Sequence, residues 1–255
     1  MLNQINTATP ISHLNPSQLK ELQQNLARLD FYPSNQIDGI YGPNTAKGWV
    51  DFKASRHLNE PNLIGPSSVK MLLESDGLLI KREHFDSIFR HGTARQRDRY
   101  FLPLNLAMNE FRINTPVRMA AFLAQLAHES GSLKWEEEIA SGAAYEGRRD
   151  LGNVVKGDGR RYKGRGPIQL TGRHNYRWYG KQLGLDLEGN PLLVKQPEIG
   201  SRVAALFWSS KGLNELADQN TQASFRLISR KINGGFNGLQ DRLNLWSLSK
   251  NVLNV

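Results

Sequence analysis

Two carboxylates have the type and spacing for chemistry: Glu129, in Ala127-His128-Glu129-Ser130-Gly131, and Glu138, in Trp135-Glu136-Glu137-Glu138. A pair of acids flanking a cleft is what glycoside hydrolysis requires. One protonates the departing oxygen, and the other activates water or attacks directly. Nine residues apart, the two would lie on opposite faces of one continuous helix. They can share a site only if the helix stops near Gly131 and the chain turns back, which Ser130-Gly131-Ser132 permits. Three adjacent acids, Glu136 to Glu138, also read as a solvated charge run. From Tyr145 to Tyr176, arginines and lysines are set among Gly, Tyr, Gln, Asn and Thr. That composition suits a nucleic-acid loop, or equally a sugar cleft, where aromatic faces and planar amide and guanidinium groups meet hydroxyls. His128-Glu129 lacks the second histidine of a zincin helix, no phosphate-binding glycine loop occurs, and the other histidines are scattered. No metal and no other cofactor is expected.

The element that must carry Glu129 runs from Thr115 to Gly131. Thr115 is a good N-cap, Pro116 suits the first helical position and Gly131 the exit. Met119, Ala120, Ala121, Phe122, Leu123, Ala124, Leu126 and Ala127 make the helix apolar on nearly every face, so it should be buried. A carboxyl at its last turn would be partly desolvated, which suits a proton donor. Residues 81–114 read as one or two polar helices leading into it. Phe207-Trp208 reads as core, and Leu239 to Val255 as an amphipathic helix closing the domain, although a basic amphipathic end could also touch anionic envelope lipids.

Before residue 80 the pattern is different. Asn15-Pro16, Gly42-Pro43 and Gly65-Pro66 each open a short helix, the first with Leu19, Leu22, Leu26 and Leu29 on one face. Residues 1–14 read as a loose lead-in, and Glu74-Ser75-Asp76-Gly77 as the boundary. Residues 1–79 hold 6 basic and 7 acidic residues; the remainder holds 27 and 17. The second part therefore expects an anionic partner. With no cysteine, no basic–apolar leader and no apolar run of membrane-spanning length, the expectation is a soluble monomer made in the cytoplasm.

Two resemblances sharpen this reading. The leucine-spaced first helix followed by Asp38-Gly39-x-Tyr41-Gly42-Pro43-x-Thr45 resembles the peptidoglycan-binding module of many cell-wall hydrolases. It implies wall contacts near Asp38, Tyr41 and Thr45. His128-Glu129-Ser130-Gly131, Glu138, YEGRRDLGN, GRGPIQLTGRHNY and the later INGG resemble glycoside hydrolase family 19, which comprises chitinases and lysozyme-like endolysins. That resemblance implies Glu129 as general acid, Glu138 as the base activating water, and Thr171 as a residue positioning that water. It also implies Gln169, Asn175 and Asn233 in the substrate cleft, with Arg242 supporting the acid pair; Tyr162, set among arginines and glycines, is a candidate aromatic face for the sugar. Glu146 is a rival second carboxyl, read as structural and paired with Arg148 or Arg149. The family inverts configuration, so carboxyls about 6.5–9.5 Å apart are expected.

The expected fold is mainly α: a small three-helix bundle (residues 1–77) joined to a larger lysozyme-like α-helical domain (78–255) with at most a small β-hairpin. The expected function is that of an endolysin, a muramidase-type hydrolase of β-1,4 bonds in peptidoglycan. It would be released to the wall after membrane disruption and would have no nucleic-acid partner. A chitinase and a non-catalytic wall-binding protein are the alternatives.

Overall fold

The computed structural model describes residues 1–56, 58–74 and 78–255. Among these the chain is mainly helical, with twelve α-helices and one two-stranded antiparallel sheet. It forms two compact units, Met1–Lys81 and Arg82–Val255. The Ser75-Asp76-Gly77 segment, read above as the boundary, lies outside the described residues. No described helix is long and apolar enough to cross a membrane.

The first unit has three helices, α1 (Pro16–Arg28), α2 (Pro43–Ser55) and α3 (Pro66–Glu74), each begun by its proline. Proline suits the first turn because the N–H it lacks would have no helical partner there. Asn15 caps α1 by accepting from Gln18 N at 2.9 Å, while the Gln18 side chain accepts from Asn15 N. Leu19, Leu22, Leu26 and Leu29 are buried with Trp49 and Phe52. Residues 1–14 are not a loose lead-in. Leu2, Ile5, Ile11 and Leu14 belong to the same core, and β1 (Thr9–Pro10) pairs with β2 (Leu63–Ile64). Their irregular apolar spacing matches neither a helix nor a strand, so periodicity gives no sign of their burial.

In the second unit α4 (Arg82–Ile88) and α5 (Ala94–Glu110) precede α6 (Pro116–Glu129). Thr115 caps α6, and every residue from Met119 to Ala127 is buried. Each large apolar side chain sequestered there contributes roughly 1.5–3 kcal/mol. Phe122 meets Trp208 edge-to-face at 5.4 Å, which puts the Phe207-Trp208 region in the core as expected. The short α7 (Asp158–Arg161) and α8 (Arg173–Leu183) follow, then α9 (Pro197–Ser210), α10 (Leu213–Asp218), α11 (Gln222–Asn233) and α12 (Leu239–Leu253). α12 lies along α6, and α5 along α9. Isolated β-bridges, Glu137 with Arg165 and Arg165 with Leu170, tie three extended segments between α6 and α8.

Candidate active site

Helix α6 ends at Glu129, and Ser130 turns the chain out. Gly131, Ser132 and Leu133 then all take left-handed backbone, with φ of 56°, 60° and 70°. The hydroxyl of Ser130 donates back to Leu126 O at 2.6 Å and accepts from Leu133 N at 2.8 Å, which holds this costly turn in place. A side chain at Gly131 would also strike Trp135, since its Cβ would lie 2.6 Å from the indole Nε1. The turn is what lets acids nine residues apart stand on separate elements.

The Glu129 side chain is 20% exposed and is met by a buried arginine. Arg242, on α12 and 2% exposed, donates from Nη2 to Glu129 Oε1 at 2.6 Å. The same guanidinium donates to Gln125 Oε1 at 2.5 Å and to Asn237 O at 3.3 Å. Gln125 is oriented in turn by donating to Ser229 Oγ at 2.8 Å. Among the described residues no protein donor reaches Glu129 Oε2, so that oxygen is the one presented to a ligand. Asn233, at the end of α11, donates to Asn237 O and accepts from Gly235 N. Asn237 O thus joins the loop of Asn233 to the arginine on Glu129.

Glu138 is held differently. Its Oε1 accepts from Tyr145 OH at 3.0 Å and its Oε2 from Gly164 N at 3.1 Å, while its backbone pairs with Gly164 O. The Tyr145 phenol is pushed above its ordinary range, first by burial and then by the Glu138 carboxylate, so it remains a donor. Gly164 leaves no room for a side chain. A Cβ there would sit 2.8 Å from Gln169 Oε1 and 3.3 Å from Glu138 Oε2. Gln169, at φ 55°, donates to Trp135 O, and Trp135 N donates to Ser130 O. A chain of contacts therefore runs from the end of α6 through Trp135 and Gln169 to Glu138. Thr171 donates to Gln169 O, and Asn175 to Thr171 O, so these two continue the same wall.

The three adjacent glutamates are not a solvated run. Glu136 accepts from Arg99 at 2.6 Å, while Glu137 binds Arg165 at 3.0 Å and Lys195 at 3.1 Å. Glu137 is held below the ordinary carboxylate range: burial opposes this, but the Lys195 hydrogen bond and the charges of Arg165, Lys195 and Lys163 outweigh it. Glu146 is structural, although backbone rather than arginine satisfies it. It accepts from Gly157 N and Gly159 N, and Arg148 pairs with Asp150. Tyr162 cannot offer a ring face to a sugar. It is 1% exposed, lies beside Tyr176 at 5.4 Å and under the Arg173 guanidinium at 5.0 Å, and its OH donates to Glu188 O. Much of the arginine-rich stretch is spoken for by acids, Arg173 by Asp158 and Glu188, Arg177 by Glu188.

The chain has recognisable relatives. Residues 113–224 match the family model Glyco_hydro_19, described as chitinase class I. This range includes Glu129, Glu138, Gln169, Thr171 and Asn175. The protein is therefore an enzyme of the chitinase-like glycoside hydrolase class. A glycosyl hydrolase family 19 domain-containing protein of Haemophilus influenzae is 27% identical over 66% of this chain and 94% of that protein. Endochitinase At2g43620 of Arabidopsis thaliana is 39% identical over 46% of this chain, but the match spans only 39% of the plant protein. In fold, the chain resembles chitinase C of Streptomyces griseus, with a TM-score of 0.59 at 24% identity over 71% of this chain and 96% of that one. Asn233 and Arg242 fall outside the matched range, and their link to the matched residues rests on the contacts with Asn237 and Glu129.

The arrangement of the two acids has a clear chemical sense. A proton leaving Glu129 would leave its negative charge on a carboxyl group bound to a buried guanidinium, an arrangement that favours the charged form. Glu138 has a donor on each oxygen, an arrangement that would fix its carboxylate in one orientation. Arg242, Gln125, Ser229, Tyr145 and Gly164 are the supports. Tyr145 and Gly164 stand within the motifs quoted above, but of the five only Arg242 was assigned a role from the sequence.

In the first unit, Asp38 Oδ1 accepts from Ile40 N and from Gln23 Nε2, which also donates to Thr45 Oγ1. Hydrogen bonds from Ile40 N and Gln23 hold the Asp38 carboxyl below its usual range. Gln23 is fully buried and organises this turn. A groove of about 530 Å³ lies over it, with Asn35, Gln36, Asp38 and Asn44 along its lining. Thr45 lines it too but is 1% exposed, and Tyr41 is exposed outside it.

Proposed function

We propose that this protein is a lytic hydrolase of bacterial cell walls, an endolysin that cleaves β-1,4 bonds between N-acetylmuramic acid and N-acetylglucosamine. The observation that carries the chemistry is the pair Glu129 and Glu138, on separate elements and each fixed by its own donors. In the inverting reaction Glu129 protonates the glycosidic oxygen, and Glu138 activates a water that Thr171 helps to position. Gln169, Asn175 and Asn233 line the glycan's path. The choice of peptidoglycan is supported by the separate N-terminal unit, whose amide-lined groove suits a wall polymer, and by the excess of basic residues beyond residue 80. In this reading the enzyme waits inside the producing cell until the membrane is breached.

A chitinase is the second reading, favoured by the names of the Arabidopsis and Streptomyces relatives. Digestion of purified peptidoglycan and of chitin oligomers, followed by mass spectrometry, separates the two. Muropeptides ending in reducing N-acetylmuramic acid are expected. Release of products from chitin alone would leave the chitinase reading in its place.

A further inference from the structure

A second cavity, of about 350 Å³, opens at the C-terminal end of α6 and does not include Glu129. Ala127, His128 and Gly131 contribute to it from the end of α6, so Glu129 lies between its lining residues in sequence. Across from them, α12 contributes Asp241 and Leu245, and the residue after Asp241 is the Arg242 that holds Glu129. Three further basic side chains, Arg90, His91 and Lys134, are exposed on this cavity. Its one acid, Asp241, is already bound to His128 Nδ1 at 2.6 Å. Arg90 donates only to His91, and neither Arg90 nor Lys134 has a carboxylate partner among the described residues. This contrasts with the ion pairs that neutralise the arginines near α8. The cavity thus combines free positive charge with an apolar patch from Ala127, Leu245 and Leu248.

We propose that this cavity receives the carboxylate-bearing branch of the glycan, the peptide stem carried on the lactyl group of alternate sugars. The inference rests on the cell-wall reading above and names the feature of the substrate that is recognised. Chitin has no ionised group for Arg90 and Lys134 to meet, whereas a stem peptide offers carboxylates beside small aliphatic side chains. Arginine and lysine recognise carboxylates by charge-assisted hydrogen bonds. A branch on a sugar held at Glu129 needs only to pass the end of α6 to reach them.

The test uses the full chain and the double variant Arg90→Ser/Lys134→Ser, both positions being exposed and outside the catalytic machinery. On intact peptidoglycan the variant is expected to lose about tenfold in kcat/KM, mainly through KM. On chitin oligomers, if these are cleaved, the variant should match wild type within about twofold. Glycan stripped of stems by an amidase retains only the lactyl carboxylate that the cleavage frees: variant activity equal to wild type there supports recognition of the stem, and a persisting loss of about tenfold overturns it. Binding gives a readout independent of turnover. A soluble stem tetrapeptide titrated into wild type should shift the NMR signals of His91 and His128, and the variant should show no such shift. Wild type that fails to hydrolyse peptidoglycan would remove the cell-wall reading alone. Absence of tetrapeptide binding to wild type, or equal losses by the variant on every polymer, would overturn the assignment of the cavity.

Discussion

In the proposed reaction Glu129 parts with a proton and then carries the charge, and the side chain bound to its carboxyl group is Arg242. The guanidinium is buried and divides its donors among Glu129, Gln125 and Asn237. Lysine would keep the charge but has no planar fork to serve three acceptors at once. Arg242→Lys is therefore expected to lower kcat by about 10–100-fold with KM little changed, and to reduce stability by about 1–3 kcal/mol through acceptors left unpaired. Steady-state kinetics with thermal melts would check both parts. A variant with normal kcat would mean that Arg242 is a packing residue only.

At the scale of elements, the placing of Glu138 depends on how three short extended segments meet. Gly164 donates to Glu138 and leaves no space before Gln169. Gly164→Ala should displace one or both, lowering kcat/KM by at least about tenfold while the melting temperature falls only modestly. The Glu137 network binds the same segments to Lys195. Because the folded state holds Glu137 below its ordinary range, its contribution is present above that range and is lost as pH falls through the folded value. Glu137→Gln should cost roughly 1–3 kcal/mol near neutral pH, and the difference from wild type should shrink in acid. Melts across pH 3 to about 7 would show it, and a constant difference would contradict it.

Helix α6 was legible in the sequence because cap, proline, apolar run and exit glycine all agree, and the three proline-started helices for the same reason. The lead-in was not, since Leu2, Ile5, Ile11 and Leu14 follow no period. Nor were the supports of the acids. Gln125 looks like any polar residue in an apolar helix until α11 and α12 bring Ser229 and Arg242 to it. Tyr162 misled because a tyrosine among arginines and glycines reads as a sugar platform, whereas long-range packing puts it beneath Arg173 and against Tyr176.

At the scale of the whole molecule, two units carry separable tasks in the proposed function. Residues 82–255 expressed alone are expected to hydrolyse soluble oligomers as the full chain does, while retention on sedimented cell walls falls severalfold. Pull-down of the two proteins with purified walls would measure this, and equal retention would remove the wall-binding role from residues 1–81. The central claim is hydrolysis of wall glycan by the Glu129–Glu138 pair, and its most direct test is release of new reducing ends from purified peptidoglycan. Wild type should release them steadily. Glu129→Gln, with an unchanged melting curve, should release fewer by about three orders of magnitude or more, given what general acid catalysis contributes. Undiminished release by Glu129→Gln would contradict the account.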